Sequence, residues 1–187
     1  MRTAVAAQID LVQIREKNLS ASVLYQLATS AAGIAKGSAT KLLINDRSDI
    51  AAAAGADGVH LTSASLPTAV VRQAFGEGFL IGVSTHSLEE AKLARRSGAD
   101  FVVFGPVFAT ASKREYGEPL GLAKLARVCA ELSAFPVLAL GGVEIGKVAA
   151  CMQAGARGIA AIRLLQQPER LAAIVDEIRR DPRKDTN

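Results

Sequence analysis

Short apolar runs alternate along the chain with longer stretches in which apolar residues recur at helical spacing. The short runs are rich in Val, Ile and Leu, which is typical of parallel strands buried on both faces. The spacing in the longer stretches predicts amphipathic helices. The predicted strands cover residues 10–15, 41–45, 57–61, 79–84, 100–104, 136–140 and 158–162, and the predicted helices cover 21–36, 48–54, 67–75, 88–97, 121–132, 144–154 and 168–180.

This alternation predicts an α/β fold, a (β/α)8 TIM-type barrel that lacks its first strand. Residues 1–8 resemble the end of a first helix whose preceding strand is absent. An open edge of parallel strands invites pairing with another chain, so we expect a missing segment or a homo-oligomer. A doubly wound open sheet is the alternative fold. We expect one barrel domain over residues 1–180 and a polar C-terminal tail over 181–187.

The composition favours a cytoplasmic protein that acts on small molecules. Half of the 187 residues are hydrophobic and the net charge is +4, which suits one domain with a substantial core. No basic stripe is interleaved with aromatic residues, which argues against a nucleic-acid partner, and no apolar run approaches the length of a membrane span. Cys129 and Cys151 lack metal-ligand spacing, so we expect reduced thiols.

Three helix-to-strand junctions carry a related motif: Ala-Gly-Ala-Asp at 54–57, Ser-Gly-Ala-Asp at 97–100 and Ala-Gly-Ala-Arg at 154–157. Each motif offers a glycine that can end a helix. These junctions precede the strands, on the side of a barrel that serves stability, and we therefore interpret them as structural.

Most of the candidate chemistry lies at the other, C-terminal ends of the strands, where barrel enzymes place their sites. Gln13, Arg15 and Lys17 recur at every second residue and therefore point the same way from the first predicted strand. An arginine that faces a barrel interior needs an anionic partner. We expect either an anionic ligand here or an internal ion pair between Arg15 and Asp46.

Asn45 and Asp46 end the second predicted strand, and the carboxylate of Asp46 has two interpretations. Asp46 or Ser48 can cap the helix that follows, or Asp46 can hold Mg²⁺ against substrate phosphates. The motif alone does not separate the two.

Two loops later in the chain are suited to phosphate. The apolar run 101–104 leads into a loop with a lysine and two hydroxyls, and Gly141 with Gly142 lies between a strand and a helix, where backbone N–H groups can approach a phosphate. The loop residues of the first are Gly105, Pro106, Thr110, Ser112 and Lys113. The candidate residues include three cations, Arg15, Lys17 and Lys113. This balance of charge favours a ligand that is a phosphorylated, and more narrowly a pyrophosphorylated, small molecule.

Three further polar residues are candidates. Ser84 ends its predicted strand. His60, on a strand, and His86, in a loop, could each act as a general base, but neither has an evident nucleophile beside it.

Nearly the whole chain resembles the thiamine phosphate synthase/TenI superfamily. The resemblance rests on six ordered motifs: Val-Gln-Ile-Arg-Glu-Lys (12–17), Ile-Asn-Asp-Arg (44–47), Ala-Asp-Gly-Val-His-Leu (56–61), Ile-Gly-Val-Ser (81–84), Gly-Pro-Val-Phe with Thr-Ala-Ser-Lys (105–108 and 110–113), and Ala-Leu-Gly-Gly-Val (139–143). The family fold is a (β/α)8 barrel whose first strand precedes the Gln-x-Arg-x-Lys strand.

The resemblance implies a transferase that couples hydroxymethylpyrimidine diphosphate to thiazole phosphate with release of pyrophosphate. Asp46 would bind Mg²⁺, and Gly141 with Gly142 would receive the thiazole phosphate. The residues that would handle the diphosphate or the pyrimidine are Gln13, Arg15, Lys17, Asn45, Ser84, Thr110, Ser112 and Lys113, with Arg15, Lys17 and Lys113 in the catalytic role.

Two departures from the family pattern, and one from the pattern of its TenI branch, keep alternatives open. Ser65 stands where synthases usually carry a second metal-binding aspartate, and Arg163 stands where the family usually has a serine and could pair with the phosphate. A TenI-type thiazole tautomerase would need a histidine where this chain has Pro106, so His60 or His86 would have to replace it. A third hypothesis is a non-catalytic protein that binds thiazole phosphate or thiamine phosphate.

Overall fold

The computed structural model describes residues 1–109 and 118–180. Within them the strands and helices follow the predicted order, with strand ends that differ from the predicted ones by at most two residues. The elements are α1 (Arg2–Ala6), β1 (Leu11–Ile14), α2 (Ala21–Ala35), β2 (Lys41–Asn45), α3 (Ser48–Ala53), β3 (Gly58–Leu61), α4 (Thr68–Phe75), β4 (Leu80–Thr85), α5 (Leu88–Arg96), β5 (Phe101–Phe104), α6 (Gly121–Glu131), β6 (Val137–Leu140), α7 (Ile145–Gln153), β7 (Gly158–Ala160), a 3₁₀ turn (Pro168–Arg170) and α8 (Leu171–Arg179).

The described chain divides into two compact units, the first made of residues 1–83 and 97–99 and the second of the remaining described residues. In the first unit β1, β2, β3 and β4 pair in parallel in chain order. Gly58 lies opposite Leu80, where a Cβ would come within 1.9 Å of the Leu80 carbonyl oxygen. Only glycine therefore allows β3 and β4 to approach this closely. A single domain over 1–180 stays a prediction, and the predicted tail at 181–187 lies outside the described residues.

Alternation along the strands of the first unit separates an apolar face from one that mixes polar and apolar residues. One face packs against the helices in a buried core that includes Leu42, Ile44, Val59, Leu61 and Ile81 from the strands and Leu24, Ala28, Ile50 and Val71 from the helices. Each Val, Leu or Ile side chain buried in this way stabilises the fold by about 1.5–3 kcal/mol. Successive residues of a strand point to opposite faces, so Gln13, Asn45 and His60 lie on the face away from the helices.

The second unit repeats the arrangement with three strands. β5 pairs with β6 and β6 with β7, all in parallel. Leu125 and Val128 of α6, Val148 and Cys151 of α7 and Ile174 of α8 are buried in this unit. β7 ends at Ala160 rather than at residue 162, and Ile162 is 61% exposed. The position of Arg163 is therefore beyond the strand.

The glycines of the three junction motifs confirm their structural interpretation. Gly55, Gly98 and Gly155 have φ of +71°, +90° and +93°, a conformation that glycine adopts without the strain of a side chain. Asp57 accepts hydrogen bonds from the Leu42 N–H at 2.8 Å and from the Lys41 ammonium at 2.9 Å. These contacts fasten the start of β3 to the start of β2.

Arg72 holds together the end of α4, the start of β4 and the segment 97–99. Its Nη1 donates to the carbonyl oxygens of Gly76 at 2.6 Å and Phe79 at 2.8 Å. Its Nε and Nη2 donate to the carbonyl oxygen of Gly98 at 2.9 and 2.8 Å. One guanidinium thus satisfies three backbone carbonyls of the first unit.

Cys129 and Cys151 are both free thiols. Burial raises the pKa of Cys129 to about 11 and raises the pKa of Cys151 as well. Neither thiol is ionised near neutral pH, which suits a packing role. In the described part of the chain, every helix falls short of the length and apolarity needed to cross a bilayer.

Candidate functional site

A row of polar side chains crosses the ends of β1, β2 and β3 in the first unit. Gln13 donates a hydrogen bond from its Nε2 to Oδ1 of Asn45 at 3.5 Å, and Asn45 is the register partner of His60. The Asp46 N–H donates to the His60 carbonyl oxygen at 2.9 Å. Gln13, Asn45 and Asp46, which the sequence predicted near the C-terminal ends of strands, are thereby brought together with His60, which it predicted on a strand.

Asp46 does not cap α3. The residue that precedes the helix is Arg47, and no side chain caps it, so the interpretation of Asp46 or Ser48 as a helix cap is wrong. Arg47 instead donates from Nε and Nη2 to the two carboxylate oxygens of Asp49 at 2.9 and 2.6 Å. The hydrogen bond from Arg47 is the main cause that lowers the pKa of Asp49. Arg47 therefore pairs with Asp49. Asp46 is exposed and has a φ of +64°.

Arg15 and Lys17 are exposed, and so is Gln13. Arg15 is therefore not a buried charge, and its predicted pairing with Asp46 is not among the ion pairs of the described residues. The alternative expectation of an anionic ligand stays a prediction. An exposed arginine keeps its hydration and needs no internal counter-charge. These cations remain able to meet an anion that arrives from solvent.

His60 is 8% exposed on β3. Burial, and secondarily the charge of Arg15, lowers its pKa to about 4. The ring is therefore neutral near pH 7 and adds no charge to the polar row.

Ser65 is held in a tight turn that follows β3. Its Oγ accepts the Thr62 N–H at 2.8 Å and lies 3.2 Å from the Thr62 hydroxyl, while its own N–H donates to the Thr62 carbonyl oxygen at 3.1 Å. Among the described residues no group of three or more His, Cys, Asp or Glu side chains could enclose a metal ion. Asp46 is a single exposed carboxylate, which fits Mg²⁺ that takes its other ligands from water and substrate oxygens.

In the second unit, the glycine loop (residues 140–143) is pinned to the segment that follows β5. The Val107 N–H donates to the Leu140 carbonyl oxygen at 2.7 Å, and the Phe108 N–H donates to that of Gly141 at 3.0 Å. Gly141 has φ +96° and Gly142 has φ +61°, and the Gly105–Pro106 peptide is cis. The carbonyl groups of the loop are thus turned toward residues 107–108.

Both loop glycines are required by close contacts. A Cβ on Gly141 would lie 2.5 Å from Cα and Cβ of Pro106. A Cβ on Gly142 would lie 2.4 Å from the Ala109 carbonyl oxygen and 2.9 Å from Cβ of Phe108. Side chains larger than hydrogen would push the two segments apart, so the loop keeps its shape only with this glycine pair.

The hydrogen bonds also determine where the N–H groups of the glycine loop point. A trans peptide is planar, and its N–H is antiparallel to its C=O. Because the carbonyl groups of Leu140 and Gly141 face residues 107–108, the N–H groups of Gly141 and Gly142 face the opposite way. Neither donates a hydrogen bond to a residue that the structure describes. Two adjacent unused N–H groups are a suitable cradle for a phosphate.

Lys147 contacts the glycine loop and was not predicted from the sequence. From the third position of α7, its Nζ donates to the Gly142 carbonyl oxygen at 3.4 Å and lies 3.3 Å from Oε2 of Glu144. It also lies 5.1 Å from the centre of the Phe108 ring. The only signal in the sequence is a lysine five residues after the second glycine, at helical spacing.

Two more predicted residues of the second unit are described. Ser84 is half-buried within β4, which extends to Thr85, and Arg163 is exposed beyond β7. Both make interactions of their own within the described chain. Their roles toward a substrate stay predictions. Thr110, Ser112 and Lys113 lie outside the described residues.

His86 contacts the loop that follows β5. Its Nδ1 forms a hydrogen bond with the Gly105 carbonyl oxygen, and its backbone N–H donates to Oε2 of Glu90 at 2.7 Å. The Glu90 N–H donates in turn to Oγ of Ser87 at 3.1 Å. His86 is thus tied to the start of α5 as well as to Gly105, which favours its interpretation as a structural loop residue.

A cavity of about 420 Å³ in the first unit lies at the other ends of the strands. It is lined by the Lys41–Asp57 ion pair and by the rings of Phe75 and Phe79, which stack with their centres 4.8 Å apart. Its polar residues are those that fasten β3 to β2. The cavity is therefore separate from the candidate site, and we assign its polar residues a structural role.

Parallel strands that alternate with helices define a protein of the (β/α) barrel class. The family model TMP-TENI, described as "Thiamine monophosphate synthase", matches residues 1–165. The chain belongs to this family, which confirms the resemblance found in its motifs.

Known relatives agree with the family and with the fold. The "Thiamine-phosphate synthase" of Methanoculleus marisnigri is 41% identical over 161 residues, which cover 86% of this chain and 76% of the relative. The solved "Thiamine phosphate pyrophosphorylase from Pyrococcus furiosus" is 29% identical with a TM-score of 0.80 and covers 95% of this chain and 88% of its own. A solved 3-hexulose-6-phosphate synthase, 20% identical with a TM-score of 0.65 over 94% of this chain and 89% of its own, shares the fold alone. The predicted barrel class is confirmed, with seven strands among the described residues.

Proposed function

We propose that the protein is a thiamine phosphate synthase, a transferase that joins hydroxymethylpyrimidine diphosphate and thiazole phosphate and releases pyrophosphate. Membership of the family and relatives named as synthases support this activity rather than the tautomerase or a non-catalytic binder. The observation that carries the proposal is the polar row of the first unit, where Gln13, Asn45 and Asp46 stand next to the exposed Arg15 and Lys17.

The chain's cations serve the departure of the diphosphate. The bond between the pyrimidine methylene carbon and the diphosphate oxygen breaks, and its electron pair leaves with the diphosphate. The thiazole nitrogen then donates its lone pair to that carbon. Arg15, Lys17 and Lys113 balance the charge that develops on the leaving group. The neutral ring of His60 does not repel the carbocation that forms on the pyrimidine.

The remaining predicted residues bind and orient the two substrates. Gln13, Asn45, Ser84, Thr110 and Ser112 offer amide and hydroxyl groups to the diphosphate or the pyrimidine. The N–H groups of Gly141 and Gly142 receive the thiazole phosphate, and Arg163 adds a cation for the same group.

Asp46 would hold the Mg²⁺ of this site. When bound, Mg²⁺ supplies positive charge to the diphosphate oxygens. The serine at position 65 leaves one carboxylate for the metal, so substrate oxygens and water complete its shell. The cations of the chain therefore carry a larger share of the neutralisation.

The proposal is tested by incubating the purified protein with both substrates and Mg²⁺ and measuring thiamine phosphate and pyrophosphate. We expect the two products in equal amounts, and large losses in Lys113→Ala and Asp46→Asn. Absence of thiamine phosphate above the Lys113→Ala background would refute the synthase. If the wild type forms no thiamine phosphate but converts the thiazole carboxylate tautomer, the tautomerase becomes the favoured function.

The cytoplasmic location and a homo-oligomer stay predictions.

A further inference from the structure

We propose that Lys147 is a positioning residue of the phosphate cradle, acting through the Gly142–Val143 peptide. The inference rests on the proposed function, because it assumes that the glycine loop receives the phosphate of the second substrate. It concerns a residue that the motifs of the family resemblance do not include.

The position of the ammonium group suggests its role. Nζ of Lys147 lies 3.4 Å from the Gly142 carbonyl oxygen. The N–H at the other end of the same planar peptide belongs to Val143 and therefore points away from the lysine. This N–H makes no backbone hydrogen bond within the described residues. It is the third consecutive N–H of the loop, after those of Gly141 and Gly142, that can point to a ligand.

The lysine is held where it can act on the carbonyl. Oε2 of Glu144 at 3.3 Å and the face of the Phe108 ring at 5.1 Å flank the ammonium, and 39% of the Lys147 side chain is exposed. A cation on a carbonyl fixes the rotation of the flexible glycine peptide. It also polarises the N–H at the far end, which strengthens the bond that this N–H donates. Direct contact with the phosphate is not required.

An ordinary surface ion pair is the competing explanation, because Glu144 and Lys147 are spaced i, i+3 at the start of α7. Such pairs contribute little to stability and nothing to a neighbouring ligand. The same unit offers a matched control in Lys92, which pairs with Glu131 at 2.6 Å and has 38% of its side chain exposed. Lys92 has no contact with the glycine loop among its described hydrogen bonds and ion pairs.

The test compares Lys147→Met, Lys147→Arg and Lys92→Met with the wild type. Calorimetry gives the Kd for thiazole phosphate without turnover, and steady-state kinetics give kcat and both KM values. For Lys147→Met we expect the Kd and the KM for thiazole phosphate to rise about tenfold, equivalent to about 1.4 kcal/mol. The KM for the pyrimidine diphosphate should stay within about twofold. Lys147→Arg should restore most of the affinity, and Lys92→Met should match the wild type.

The outcomes separate the two proposals. If the wild type binds thiazole phosphate but does not form thiamine phosphate, the synthase is refuted, and the Kd values still test Lys147. An unchanged Kd in Lys147→Met, equal rises of both KM values, or no rescue by arginine would overturn the positioning role. A loss of affinity in Lys92→Met as large as in Lys147→Met would also overturn it.

The backbone amide signal of Val143, followed by NMR during a titration with inorganic phosphate, should shift less in Lys147→Met than in the wild type.

Discussion

Replacement of Gly142 by alanine perturbs the phosphate cradle at its most constrained point. A left-handed φ such as the +61° of Gly142 costs an alanine about 1–2 kcal/mol. The new Cβ would lie 2.4 Å from the Ala109 carbonyl oxygen, so the segment after β5 must move. That shift strains the 3.0 Å hydrogen bond from the Phe108 N–H to the Gly141 carbonyl oxygen, whose loss costs about 1 kcal/mol. The free energy of unfolding should therefore fall by about 2–3 kcal/mol.

Urea unfolding followed by far-UV circular dichroism measures this loss, and Gly146→Ala is the matched control. Gly146 lies within α7, four residues from Gly142, and a Cβ there would meet nothing within 4 Å. The control should gain about 0.5–1 kcal/mol, because alanine is the better helix former. Binding of thiazole phosphate should weaken in Gly142→Ala only. A Gly142→Ala protein within about 0.5 kcal/mol of the wild type, the range of ordinary surface substitutions, would refute the reasoning from the glycine loop.

Three further predictions concern the first unit. Arg72→Met removes the donors to three backbone carbonyls and should lower the free energy of unfolding by about 2–4 kcal/mol; a wild-type urea midpoint would contradict this. His60 has a folded pKa of about 4 against 6.5 in the unfolded chain, so the unfolded state takes up its proton first and stability should drop by about 3 kcal/mol as the pH falls from 6.5 to 4. Urea unfolding at a series of pH values should show this drop missing in His60→Asn, and equal slopes in the two proteins would contradict the shift. Ser65→Asp adds a second carboxylate and should tighten Mn²⁺ binding, measured by electron paramagnetic resonance, by about tenfold, whereas an unchanged affinity would show that the Ser65 turn does not face the metal.

The fold could be predicted from the sequence because its strands are continuous apolar runs and its helices keep a 3.6-residue period. The errors lie at element ends, where local pattern and tertiary packing separate. Residues 158–162 are apolar up to Arg163, yet β7 stops at Ala160 and Ile162 is exposed. Residues 168–180 read as one helix, but Pro168 starts a 3₁₀ turn and α8 begins at Leu171. In neither case does the sequence pattern change at the observed end.

The site could be predicted where strand alternation alone decides the direction of a side chain. Gln13, Asn45 and His60 share a face for this reason. The glycine pair could be predicted because it lies between an apolar run and a helical pattern. The sequence could not show that Arg47 pairs with Asp49. Nor could it show that Arg47, and not Asp46 or Ser48, is the residue that precedes α3 and that no side chain caps it. Lys147 escaped notice because its contact with the Gly142 carbonyl depends on how α7 starts, which no periodicity encodes.

Under the proposed function, Arg15 with Lys17 and the glycine loop would recognise anions by different physical means, and this difference bears on which departures from the family pattern the chain can tolerate. At Arg15 and Lys17, charge would do the binding, and Coulomb attraction acts over several ångströms. A carboxylate lost at Ser65 can therefore be offset by cations that need no fixed geometry, such as the exposed Arg15 and Lys17. At the glycine loop, neutral N–H groups would bind the phosphate, and the strength of such hydrogen bonds depends on direction. Added charge does not replace a misdirected peptide, so the loop depends on Gly141 and Gly142, whose substitution would push it against residues 106–109. Substitutions of Arg15 or Lys17 should change the salt dependence gradually, whereas substitutions of Gly141 or Gly142 should weaken phosphate binding at every salt concentration.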